Sequence, residues 1–117
     1  MIALTHDERG TKGLIVQNIQ DIDYIKAYKL KKGVKFYIKD RVLFMPGTLT
    51  YWCDVLNNSG YNFRECDRSA IANLDNIIKI DFFYYKVYFE SGNTIILSRK
   101  KREWLIEEYS KRALLLN

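Results

Sequence analysis

The feature that most constrains this chain is a change of period. From the N-terminus, short runs of alternating apolar and polar residues are cut by Gly, Asn and Asp: Ile2 to Thr5, Gly13 to Val16, Ile22 to Tyr28, Val34 to Ile38 and Arg41 to Met45. A period of two is the mark of a half-buried strand, because successive side chains leave the backbone on opposite faces. After Pro46-Gly47 the period becomes helical, with Leu49, Trp52, Cys53 and Leu56 on one face, Thr48 placed as N-cap and Asn57-Asn58-Ser59-Gly60 as the stop. Strand patterns resume at Phe63 to Cys66, Asn76 to Asp81, Lys86 to Phe89 and Thr94 to Leu97, the last two joined by the turn Glu90-Ser91-Gly92-Asn93. From Lys100 onward Trp104, Leu105, Tyr109, Arg112 and Leu116 recur at helical spacing, uninterrupted by glycine or proline. The expectation is one mainly β (α+β) domain of small antiparallel sheets with a short inner helix and a C-terminal helix.

With 117 residues, 48% of them apolar and 15% aromatic, the chain has room and material for a single core. The opening MIALTHDERG lacks a signal peptide's positive n-region and apolar h-region, and no apolar run approaches the length of a membrane span. A cytoplasmic protein is expected. Cys53 and Cys66 fit no metal-ligand spacing and read as free thiols. His6 is the one histidine, no nucleophile-base pair or metal cluster is visible, and Asp21 with Asp23 reads as a solvated strand end. No catalytic residue, cofactor, metal or small-molecule substrate is expected.

The formal net charge is +5, which favours an anionic partner without choosing between nucleic acid and membrane. Position is more informative. Lys26, Lys29, Lys31, Lys32, Lys35, Lys39 and Arg41 crowd a strand-turn-strand stretch in which Asp40 is the one acid. On a hairpin they make a focused positive feature; the bland alternative is edge-strand protection by lysine. Arg99-Lys100-Lys101-Arg102 opens the last helix, where cations oppose the helix dipole unless an anion joins them. Arg68 and Ser69 sit where a strand stops, and Arg68 would either clamp a base or phosphate or pair with Asp67 or Glu65. Phe82 to Tyr85 would stack on bases or, more simply, fill the core.

Phe63 to Ile77, reading FRECDRSAIANLDNI, resembles the central motif of the LytTR DNA-binding domains, in which phenylalanine, arginine, arginine-serine and an isoleucine or valine before asparagine recur. Ile22-Asp23-Tyr24-Ile25-Lys26-Ala27 is similar to the family's early strand motif, and Gly47-Thr48-Leu49 to the start of its inner helix. Ser91-Gly92-Asn93, followed by Leu97-Ser98-Arg99, is similar to its closing hairpin and serine-arginine element. The resemblance runs from about Ile2 to about Leu105. It implies a transcription regulator's output domain, mostly β in three small sheets, that puts loops rather than a helix into successive major grooves of duplex DNA. It divides the chain into a DNA-binding domain at 1–106 and a helical extension at 107–117. The contacts it implies fall on Lys31 and Lys32, on Arg68 and on Arg99, with Ser69 and Lys100 beside them as expected phosphate contacts, and paired occupation of direct repeats implies a homodimer on DNA.

Two departures stand out. Many members have histidine where this chain has Asp67, an acid that repels phosphate unless it pairs with Arg68 or accepts from a cytosine amino group. Most carry an N-terminal receiver domain, for which these residues leave no room, so a stand-alone regulator or an excised domain is expected. The competing reading, from another class, is a protein-interaction module, a regulator subunit or antirepressor that keeps the fold without specific DNA contact.

Overall fold

The computed structural model describes residues 1–28, 32–100 and 102–116, with side chains as far as residue 111. A ribbon of β1 (Ile2–Thr5) and β2 (Leu14–Gln17) leads through a 3-10 turn at Ile19–Asp21 to β3 (Tyr24–Tyr28), β4 (Gly33–Ile38) and β5 (Arg41–Pro46). The inner helix α1 (Leu49–Asn58) precedes β6 (Phe63–Asp67) and β7 (Ala70–Asn73). A second 3-10 turn at Leu74–Asn76 then opens β8 (Ile77–Asp81), β9 (Lys86–Phe89) and β10 (Thr94–Ile96), and α2 (Arg102–Leu116) closes the chain.

The strands pair antiparallel in two sheets, one in the order β2-β1-β5-β4-β3-β7-β6 and the other β10-β9-β8. The expected three small sheets are therefore two by hydrogen bonding, although the β1–β2 ribbon joins β5 through the single pair Thr5↔Phe44. The period of two explains the layering. Ile25, Val34, Phe36, Ile38 and Leu43 point to one face of the large sheet and pack with Trp52 and Leu56 of α1. Phe36 meets Trp52 edge-on at 5.2 Å and is fully buried. Truncating such a side chain costs about 3–5 kcal/mol. Tyr24, Ala70 and Ala72 point to the other face and pack against Ile80, Val87, Phe89, Ile95 and Leu97 of the small sheet and Leu105 of α2.

Thr48 caps α1 as expected, its hydroxyl accepting from the Tyr51 N–H at 3.0 Å. Gly47 holds a φ of +114° where a Cβ would stand 3.0 Å from the Trp52 indole nitrogen. Only glycine lets that indole reach the Pro46 carbonyl, 2.9 Å away.

Three expectations need correction. Ala70–Asn73 is a strand that the alternation rule passes over, because all four of its residues are buried and none marks a solvent face. Trp104 is 43% exposed, so α2 packs through Leu105, Ile106 and Tyr109 rather than along the whole expected face. Asp21 is exposed, but Asp23 is 3% exposed and is no solvated strand end. Its carboxylate accepts from the Ser91 hydroxyl, from Asn93 Nδ2 at 3.0 Å and from Asn76 Nδ2 at 3.3 Å, while its peptide N–H donates to the Tyr37 carbonyl at 2.9 Å. One side chain just ahead of β3 thus clips the β9–β10 turn of the small sheet to the large one.

Candidate nucleic-acid interface

Antiparallel pairing decides which turns share an end of the molecule. β3 and β4 close with Tyr28↔Gly33, so Lys32 sits at the hairpin tip. Gly33 is there by necessity, because a Cβ would stand 2.9 Å from the Met45 carbonyl oxygen of β5. Lys32 itself is exposed and held at a φ of +50°. β7 runs back along β3 with Lys26↔Ala70, and the Ala27 N–H reaches the Ser69 carbonyl at 2.8 Å. The Arg68-Ser69 turn and the lysine tip therefore leave the same end of the large sheet. Lys31 lies outside the described residues.

Lys39 and Arg41 go elsewhere. β4 spans Gly33–Ile38, and five steps at about 3.3 Å carry the chain roughly 17 Å from the tip to the next turn. There the Lys39 carbonyl accepts from Asn93 Nδ2 at 2.8 Å, beside the Asp23 clip. The basic run is thus divided between the two ends of the sheet rather than focused on one hairpin.

Arg68 and Arg99, far apart in sequence, are brought together. The Ser98 N–H donates to the Cys66 carbonyl at 3.0 Å, which ties the bend after β10 to the end of β6. Arg68, Arg99 and Lys100 then line one cleft of about 220 Å³ with Asp67 and Ser98. A register shift between Glu65 and Asp67 turns the end of β6 outward. The Asp67 carboxylate faces its own turn, accepting from the Arg68 peptide N–H at 2.7 Å and lying 3.5 Å from the Ser69 hydroxyl. The acid thereby shapes the turn that presents the arginine. Behind it Cys66 is fully buried, and burial pushes its thiol up to about 12; neither cysteine is in a disulfide.

Lys26 and Lys35 carry a signal that local sequence does not isolate. They are direct register partners on β3 and β4, where facing like charges are destabilising. Their ammonium groups lie over aromatic rings, Lys26 at 5.7 Å from Tyr24 and Lys35 at 4.7 Å from Tyr28. The pair stands between the lysine tip and the Arg68 turn. Only strand register brings the two together.

Cationic turns thus gather at one end of a sandwiched β scaffold. The sequence model of the LytTr DNA-binding domain matches residues 12–109, and the chain belongs to that family, one of DNA-binding domains rather than enzymes. The fold is similar to that of the LytTr DNA-binding domain of a protein described as a methyl-accepting/DNA response regulator from Bacillus cereus. The TM-score is 0.72 at 18% identity, over 91% of this chain and 93% of that one. A search of curated protein sequences returns no match. Among the described residues no helix is long and apolar enough to cross a membrane.

Proposed function

We propose that this LytTR domain is a transcription regulator that binds duplex DNA sequence-specifically, placing its loops in successive major grooves at paired direct-repeat sites. The observation that carries the reading is the shared cleft of Arg68, Arg99 and Lys100, built from two turns that one backbone hydrogen bond locks together. On this reading Arg68 and Arg99 from the cleft and Lys32 from the hairpin tip read base edges, for which arginine and lysine at guanine are the commonest specific partners. Lys31, Ser69 and Lys100 hold phosphates, and Lys26 with Lys35 adds to them from the sheet face. A phosphate between two facing lysines relieves their repulsion, which gives that pair a reason to exist.

Two molecules on adjacent repeats form the homodimer on DNA, and residues 107–117 extend the binding domain 1–106, with 107–116 lying in α2. The test is selection of bound fragments from random DNA, followed by binding at increasing salt. One enriched motif, repeated at a fixed spacing, with affinity falling steeply in salt, is the expected result. Absence of enrichment and a flat salt response would favour the interaction module instead.

A further inference from the structure

The connection from β8 to β9 is the most exposed apolar feature of the small sheet. Phe82, Phe83 and Tyr84 are 60%, 81% and 67% exposed. Sequence reasoning favours core packing for these rings, and the structure puts them outside the core. Contiguous exposed aromatics on a small domain signal an interaction surface.

The tip is built rather than loose. The Asp81 carboxylate accepts the Phe83 N–H at 2.8 Å and the Tyr84 N–H at 3.2 Å, bonds that hold its carboxyl below the usual carboxylate range. Tyr85 adopts a φ of +54°, which a bulky L-residue takes only when its surroundings compel it. Here the Leu97 N–H binds the Tyr85 carbonyl at 2.8 Å, and the Arg102 guanidinium lies 3.5 Å from the centre of the Tyr85 ring. These contacts turn the three preceding rings outward. They also fix the tip to Leu97, two residues before Arg99.

We infer that the Phe82-Phe83-Tyr84 tip is a fourth DNA contact, an apolar one, which packs on the sugar and base surface of the duplex just outside the groove entered by Arg99. The inference rests on the DNA-binding reading above and deepens it. Continuity with Arg99 and Lys100 is one support. The other is charge: Lys79 and Lys86, both 5.5 Å from the Tyr88 ring, flank the tip on the outer face of the small sheet. A second copy of this chain would bring the same cations against them, whereas a polyanion is complementary. Aromatic and apolar side chains at such positions stack on bases or wedge a base step, independent of salt.

The experiment uses the full chain, a duplex enriched from random DNA, and the double variant Phe82→Ser, Phe83→Ser, whose rings belong to neither buried core. On a duplex with long flanks the variant is expected to bind about 10-fold more weakly at an unchanged salt slope. On a duplex trimmed at the Arg99 contact, variant and parent should bind alike. The outermost sugars protected by the parent from hydroxyl radicals should lose protection. Equal affinity of the two chains on the long duplex would overturn the inference and leave the DNA-binding reading standing. Failure of the parent to bind any duplex at low salt would remove both. Two other results overturn it in favour of another occupant: tip-dependent retention on anionic phospholipid vesicles, or self-association that disappears in the variant.

Discussion

Replacing Asp23 by alanine tests whether one buried carboxylate holds the two sheets together. The side chain is 3% exposed and accepts from Ser91, Asn93 and Asn76. A hydrogen bond to a charged group is worth about 1.5–3 kcal/mol, so three undiminished bonds would be an upper limit. Two effects reduce it. Ser91 is exposed and Asn93 partly so, and both find water once the carboxylate is gone. Removing the carboxylate also removes its own desolvation penalty. A net loss of about 2–3 kcal/mol is expected for Asp23→Ala, which at a urea m-value of about 1.5 kcal/mol/M lowers the midpoint by roughly 1–2 M. Asp23→Asn should lose less, since its amide oxygen can take the place that accepts from Ser91 and Asn93 and only the Asn76 amide is left facing a donor. Asp21→Ala, on an exposed residue of the same stretch, should stay within about 0.5 kcal/mol. Amide exchange adds a spatial check, with faster exchange in β9 and β10 and unchanged protection in α1. If Asp23→Ala matches Asp21→Ala, or if exchange rises equally in both cores, the clip is not what fixes the small sheet.

Other expected outcomes concern the cationic turns and the buried thiol. Arg99→Ala should weaken binding to an enriched site by about 1–3 kcal/mol while sparing random DNA, whereas Lys100→Ala should weaken all duplexes alike and flatten the salt slope by about one unit; parallel losses in titrations of both DNAs would refute the division. Lys32→Gly removes a charge at a left-handed position that glycine adopts freely, so thermal stability should hold or rise while DNA affinity falls; a drop in melting temperature would show that the lysine side chain supports the turn. The Cys66 thiol, raised by burial from its ordinary 9.0 to about 12, stabilises the fold fully below pH 9, and that contribution is lost as pH climbs toward 12. Urea midpoints of the parent should therefore fall faster over that window than those of Cys66→Ala, and parallel curves would contradict the burial argument.

Where a residue's role follows from its neighbours in the chain, sequence reasoning reaches it. The strands with one wet face, the helix after Gly47 with its Thr48 cap, and the β9–β10 turn all declare themselves through period or turn chemistry. β7 does not, because a strand dry on both faces has no alternation to show. The six candidate contacts follow from local charge and from the family motif, and all but Lys31 lie among the described residues. Their grouping was not legible. Three separated points in sequence become a tip and a cleft, because Ser98 binds Cys66 across a chain separation that no local pattern measures.

Asp23 and the Phe82 to Tyr84 tip show the limit most clearly. An acid after a turn residue has the local signature of a solvated strand end, and an aromatic run has that of a core. Burial is a property of what packs from elsewhere, however, and the β9–β10 turn covers the acid while the rings stay 60–81% exposed. Side-chain period and residue type were enough for the strands with a wet face, the two helices, the family and the identity of the cations, but not for β7. Tertiary structure alone decided which cations stand together, which carboxylate is a clip and which aromatics face outward, because antiparallel register and inter-sheet contact join residues far apart along the chain.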